Sequence, residues 1–72
     1  MSKLPLVSGK ELVKALCRFG YYVRDQKGSH IHLRHPCRIP LTIPNHDEIS
    51  RGTLKAILRD AGISTEELLE VL

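Results

Sequence analysis

The first hydrophobic pattern along the chain is that of an amphipathic helix. Ser8-Gly9-Lys10-Glu11 has the spacing of a capping box, in which the serine and glutamate side chains accept from each other's backbone N–H groups. Apolar residues then recur at helical spacing, at Leu12, Leu16 and Phe19, with Val13 beside them. Gly20 follows as a left-handed stop. The sequence therefore predicts a helix between Ser8 and Gly20.

The next segments have the pattern of a β-hairpin. Tyr21 to Arg24 is rich in strand-forming residues, Gln26-Lys27-Gly28 supplies a turn, and Ser29 to Arg34 alternates apolar and polar residues. The alternation sends the two apolar side chains of the second strand to one face of the sheet. The other face receives His30, His32 and Arg34.

A third strand is predicted over Arg38 to Pro44, with Ile39, Leu41 and Ile43 pointing inward. Pro40 has no backbone N–H, so this strand belongs at an edge of the sheet.

The last third of the chain has the pattern of two helices. After Ser50, apolar residues recur at helical spacing until Gly62, and Ser64 to Glu67 repeats the capping-box spacing before a short terminal helix. The order predicts an α+β fold, α-β-β-β-α with a short extra C-terminal helix, in which both main helices cover one face of a three-stranded antiparallel sheet. The other sheet face is expected to stay open.

Length and charge narrow the class of protein. A chain of 72 residues is expected to form a single domain, residues 1–72, and its apolar runs are too short to cross a bilayer. The N-terminal residues lack the apolar core of a secretory signal, so we expect a cytoplasmic protein. The net charge is +3, but residues 1–46 hold eight Lys or Arg and two acids. This basic part favours a nucleic-acid partner, although such charge also serves solubility.

The sharpest candidate for chemistry is Gly28-Ser29-His30. Glycine frees the turn, serine can donate a hydrogen bond, and histidine emerges onto the open basic face. Imidazole can transfer protons near neutral pH, and neighbouring cations can neutralise charge on a phosphate; the candidates are Arg24, Lys27 and Arg34. His32 lies on the same face. It is interpreted as a second proton-transfer group, a phosphate contact or a plain surface residue.

Other polar groups have weaker claims. His35 and His46 are interpreted as structural or incidental, and Cys17 and Cys37 as free thiols without an oriented base. The His and Cys spacing lacks the paired pattern of a zinc site, so neither a metal nor a cofactor is predicted. Three cations follow one another along the first helix and either track an RNA backbone or form a solvated face. They are Lys10, Lys14 and Arg18.

Nearly the whole chain resembles the HicA (YcfA-like) mRNA interferase family. The resemblance lies in blocks that follow one another in the family's order. These are residues 4–12, Gly20-Tyr21, residues 26–30, residues 34–36, residues 43–46 with 48–49, residues 52–58 and residues 61–64 with 66–67.

The resemblance implies a fold like that of double-stranded-RNA-binding domains. It also implies metal-independent cleavage of mRNA that arrests translation, with His30 as the catalytic residue, and inhibition by a HicB-type antitoxin that covers the active site in a hetero-oligomer. RNA contacts are expected from Lys10, Lys14, Arg24, Lys27, Gly28, Ser29, His32 and Arg34. One departure from the family is that Cys37 and Arg38 follow Pro36, where members often have an Asp-Gly turn.

Two other interpretations remain. A double-stranded-RNA-binding module has the same order of elements and performs no chemistry, but its last helix should begin with several lysines. Here Arg51 is the single cation before Lys55. The other is an antitoxin-dependent interaction protein that has lost its nuclease activity, and the intact Gly28-Ser29-His30 argues against that loss.

Overall fold

The computed structural model of the protein describes residues 3–72. The elements in chain order are α1 (Gly9–Cys17), β1 (Tyr22–Lys27), β2 (His30–Arg34), β3 (Leu41–Pro44), α2 (Arg51–Ala61) and α3 (Thr65–Val71). The strands form one antiparallel sheet in the order β1-β2-β3. The predicted α+β class and order of elements are therefore confirmed. Within the described residues, no helix is long and apolar enough to cross a membrane.

The predicted starts of the helices are confirmed by their caps, whereas α1 ends at Cys17, three residues before the predicted stop at Gly20. Ser8 and Ser64 each form a complete capping box with the glutamate three residues later, Glu11 and Glu67. Each box satisfies backbone donors that a helix start otherwise leaves without partners. Gly62 ends α2 with a φ of 72°, in the left-handed region that glycine adopts without strain.

The hydrophobic core lies between the helices and the inner face of the sheet. Its fully buried large side chains are Leu12, Leu16, Leu33, Ile43, Leu54 and Leu68. Phe19, which the helical pattern assigned to the apolar face of the first helix, is only partly buried against this core. The strand residues that alternate with the core residues lie on the outer face, among them His30, His32 and Thr42. No described helix covers that face.

The hairpin turn lies slightly later than predicted. Gln26 and Lys27 belong to β1 and pair with Ile31 and His30, so that only Gly28 and the residue after it form the turn. The side chains of Gln26 and Lys27 therefore have the orientation of strand residues.

The prediction for the third strand was wrong in its first three residues. Ile39, expected to point inward, is 53% exposed, and the strand begins only at Leu41. Side chains rather than strand pairing hold the segment before it. Tyr21 donates its hydroxyl to the Ile39 carbonyl over 2.9 Å, and Arg38 donates to the last carbonyl of α2 over 2.8 Å. Pro40 has no N–H with which to join the ladder.

Candidate active site

The candidate site lies at the tip of the β1–β2 hairpin. Gly28 turns the chain there with a φ of 57°, and the Gln26 side-chain amide donates to the Gly28 carbonyl over 3.0 Å. Ser29 completes the turn, and His30 is the first residue of β2. The His30 side chain is exposed, and nothing in residues 3–72 hydrogen-bonds to its ring.

His30 lies across from one residue on each neighbouring strand. Its partners are Lys27 on β1 and Pro44 on β3. Residues paired in this way project from the same face of the sheet, with Cβ atoms about 5 Å apart. Lys27 is therefore a cation beside the His30 imidazole, and both are open to solvent.

Two backbone hydrogen bonds hold further segments close to the hairpin tip. The Asn45 N–H donates to the Ser29 carbonyl over 2.6 Å, and the Gly9 N–H donates to the His46 carbonyl over 2.9 Å. A Cβ on Gly9 would collide with the backbone of this loop, so the approach requires glycine. The β3–α2 loop and the start of α1 thus adjoin the end of the sheet that carries His30.

A β-bulge in β1 sets which side chains share the outer face. Val23 pairs with Leu33 and Asp25 with His32, so Arg24 is an extra residue without a partner in the register. Strict alternation from Val23 would turn Asp25 away from its observed partner, since successive side chains alternate between faces. The bulge therefore brings Asp25 to the same face as His32.

Asp25 and His32 form a close side-chain pair. The His32 Nδ1 and Asp25 Oδ1 atoms are 2.6 Å apart, and the two side chains are 32% and 38% exposed. The hydrogen bond from His32 lowers the pKa of Asp25 below its ordinary value, and the positive charges of Arg24 and Lys27 act in the same direction. An ionised carboxylate only accepts hydrogen bonds, so Nδ1 is the donor and Nε2 is left free.

The basic residues predicted to contact RNA do not form one cluster around His30. Lys27 is its cross-strand neighbour, whereas Arg34 lies four residues further along β2, which corresponds to ~13 Å along a strand. Arg24 is exposed in the bulge, next to Asp25. Lys27 is therefore the strand cation best placed to act on the same phosphate as His30.

The cations of α1 lie at different distances along the helix from the hairpin tip. Lys10 is in the first turn, next to the residue whose N–H bonds to the β3–α2 loop. Lys14 lies one turn further on, where it lines a groove of about 490 Å³ together with Arg18 and the C-terminal residues Val71 and Leu72. The row of cations along α1 thus extends away from His30.

His35 and the two cysteines do not join the site. His35 is bound to the backbone on both ring nitrogens, which confirms its structural interpretation. The His46 side chain is exposed, and Cys17 and Cys37 are exposed free thiols. Among residues 3–72, no three His, Cys, Asp or Glu side chains come together in a group that could hold a metal ion.

The residue that sequence reasoning missed is Asp25. Its position just before the predicted turn gave no reason to select it, and simple alternation does not reveal a bulge. An acidic residue within an otherwise basic hairpin was the only available signal.

Comparison with known protein families gives a match over residues 9–63 to the family described as the HicA toxin of bacterial toxin–antitoxin systems. The chain belongs to the HicA toxin family. The matched region includes the whole hairpin and excludes α3. The predicted membership is confirmed, and the protein is a toxin of a toxin–antitoxin system.

The fold agrees with a solved member of such a system. The chain is similar to a chain of a toxin–antitoxin complex from Streptococcus pneumoniae, at 36% sequence identity and a TM-score of 0.70. The similarity covers 79% of this chain and 98% of the other. A comparison with curated proteins found no match.

Proposed function

We propose that this toxin is a ribonuclease that cleaves mRNA without a metal ion and thereby arrests translation. The observation that carries the proposal is an exposed imidazole, His30, directly across from Lys27 on an open sheet face. Membership of the HicA toxin family supports it.

The chemistry needs one phosphodiester and its neighbouring ribose. The 2′ oxygen loses its proton and forms a bond to phosphorus, while the bond to the 5′ oxygen breaks and that oxygen takes up a proton. The products are a 2′,3′-cyclic phosphate and a 5′-hydroxyl. His30 acts as a general acid or base in this exchange, and Lys27 stabilises the negative charge that develops on the phosphoryl oxygens.

The RNA is expected to lie along the outer face of the sheet and across the hairpin tip. Phosphate neutralisation provides most of the affinity, because the face has few aromatic side chains on which bases can stack. The proposed contacts are Lys10, Lys14, Arg24, Lys27, Gly28, Ser29, His32 and Arg34.

A HicB-type antitoxin is the proposed protein partner, in a hetero-oligomer that covers this face. The similar structure from Streptococcus pneumoniae is described as a toxin–antitoxin complex, which supports an antitoxin partner. We propose that both the toxin and its mRNA substrate are cytoplasmic.

The test is induction of the wild-type chain and of His30→Ala at equal soluble levels, followed by growth and by the integrity of bulk mRNA. His46→Ala is the matched control, because it removes another exposed imidazole outside the sheet face. Wild type and His46→Ala should stop growth and fragment mRNA, and His30→Ala should do neither.

The same experiment distinguishes a binding module. If wild type and His30→Ala are both harmless and bind duplex RNA equally, the nuclease proposal fails and a double-stranded-RNA-binding module replaces it. Purified toxin should also cut mRNA in the presence of a chelator of divalent metals, and loss of cleavage there would contradict the metal-independent mechanism.

A further inference from the structure

A second imidazole lies on the face that carries His30. His32 is two residues further along β2, which corresponds to ~6.6 Å along the strand, and it projects from the same side of the sheet. Unlike the His30 ring, the His32 ring is held in one orientation, by the 2.6 Å contact from Nδ1 to Asp25. Its Nε2 atom has no hydrogen-bond partner in residues 3–72.

We infer that the Nε2 atom of His32 is the general base of the cleavage, that His30 is the general acid, and that Asp25 is the residue that positions His32. This inference rests on the ribonuclease function proposed above and assigns the two proton transfers of that reaction to two side chains.

The Asp25–His32 pair determines which ring nitrogen of His32 can accept a proton. A carboxylate that accepts from Nδ1–H leaves the lone pair of the neutral ring on Nε2, where it can accept a proton. The same carboxylate then stabilises the imidazolium that forms, as the aspartate does in a Ser-His-Asp triad. His30 has no carboxylate partner in residues 3–72, so the second proton transfer, to the 5′ oxygen, is assigned to its ring.

The step balances with these two histidines. Nε2 of His32 takes the proton of the 2′-hydroxyl as the bond from the 2′ oxygen to phosphorus forms. The His30 imidazolium gives its proton to the 5′ oxygen as the bond from that oxygen to phosphorus breaks. Exchange of one proton with water returns both rings to their starting states.

The bulge at Arg24 is the structural device that makes the pair possible. It shifts the alternation of β1 by one residue, so that Asp25 and Lys27 both reach the outer face, across from His32 and His30. The four side chains thus form two cross-strand pairs on one face of the sheet.

The test uses the purified full chain and a synthetic RNA oligonucleotide that contains a site cut by the wild type. A second oligonucleotide carries sulfur in place of the 5′ oxygen at that site. A thiolate leaves without needing a proton, so this substrate makes a general acid unnecessary but still requires a base. The variants are His30→Ala, His32→Ala, Asp25→Asn and the double variant Asp25→Asn/His32→Ala.

On the oxygen substrate, His32→Ala should lower kcat by about a hundredfold or more with little change in KM. Asp25→Asn should lower kcat by no more than His32→Ala does, and it should lower it no further once His32 is alanine, since Asp25 acts through His32. On the sulfur substrate, His30→Ala should recover most of the lost rate, and His32→Ala should not. Asp60→Asn, which removes an exposed carboxylate from α2, should behave as wild type.

Several results would overturn the inference. They are wild-type kcat in His32→Ala, rescue of His32→Ala by the sulfur substrate, and an equal loss from Asp25→Asn with and without His32. These results are distinct from failure of the ribonuclease proposal itself, in which the wild type cuts neither substrate or His30→Ala cuts the oxygen substrate as fast as wild type.

Discussion

The Nε2 atom of His35 lies 2.8 Å from the carbonyl oxygen of Phe19, and this hydrogen bond joins the residue after β2 to the turn after α1. A carbonyl only accepts, so Nε2 carries the proton. The other ring nitrogen, Nδ1, accepts from the backbone N–H groups of Cys37 and Arg38. The ring also packs edge-on against Tyr21, with centroids 4.8 Å apart. One imidazole thus holds the first part of the connection between β2 and β3, from His35 to Arg38.

Replacement of His35 should therefore destabilise the fold without touching the candidate site. His35→Ala leaves one carbonyl and two N–H groups without their partner, and we expect a loss of about 1–3 kcal/mol in the free energy of unfolding. Urea denaturation followed by circular dichroism measures it. His46→Ala is the control, because its side chain is exposed. Equal midpoints for the two variants would contradict the structural role of His35.

Gly9 is the point at which α1 meets the loop after β3. A Cβ there would overlap the Pro44 carbonyl and come within 2.9 Å of the Asn45 Cα, and neither backbone atom can move aside cheaply. Gly9→Ala should therefore push α1 away from the hairpin tip, lowering both the urea midpoint and the cleavage of RNA. Gly52→Ala is the matched control, since a Cβ on Gly52 meets nothing within 4 Å.

The control variant, Gly52→Ala, has an expected effect on the free energy of unfolding. Gly52 is in the first turn of α2, where alanine is the better helix former, by up to ~1 kcal/mol. Gly52→Ala should therefore be neutral or stabilising. If Gly9→Ala behaved in the same way, the close packing of α1 against the loop would be wrong.

The helices could be predicted from the sequence because their signals are local. A capping box needs only two residues three apart, and Ser8 with Glu11 and Ser64 with Glu67 form these boxes in the structure. The residues on the inner face of β2 could be predicted equally well, because period-two alternation needs no knowledge of the partner strand.

The rest depends on contacts between distant parts of the chain. Ile39 fits the alternation of a strand, but the side chains of Tyr21 and Arg38 hold its segment outside the ladder. Asp25 reaches His32 only because β1 bulges, and a bulge is defined by the strand opposite. The position of His30 was predictable, whereas its relation to Lys27 and to the Asp25–His32 pair was not.

Tyr21 should make the protein sensitive to alkali. Its hydroxyl donates to the Ile39 carbonyl, and burial raises the pKa of the phenol above its ordinary value of about 10; the charge of Arg38 opposes this rise and that of Asp60 adds to it. A raised pKa means that Tyr21 stabilises the fold fully below about pH 10 and less as the pH rises through the folded-state value. Tyr21→Phe should cost about 1 kcal/mol near neutral pH, with a smaller difference from wild type in alkali. Urea midpoints at several pH values test this, and a constant difference would contradict it.

Glu67 should contribute to acid sensitivity in the opposite sense. Its carboxylate accepts from the Ser64 N–H over 2.9 Å, and this hydrogen bond, with the one from the Ser64 side chain, lowers the pKa of Glu67 below its ordinary value. A lowered pKa means that its stabilisation is present above the unfolded-state value and is lost as the pH falls through the folded-state value. Glu67→Gln preserves the capping geometry but removes the titration, because glutamine also serves in this position. The variant should therefore lose less stability than wild type between about pH 5 and pH 3, measured as the shift in urea midpoint.

The control for this prediction is Glu48→Gln, which removes a carboxylate from the loop before α2, outside the helix cap. If it flattened the acid response as much as Glu67→Gln does, the effect would come from total charge and not from the cap.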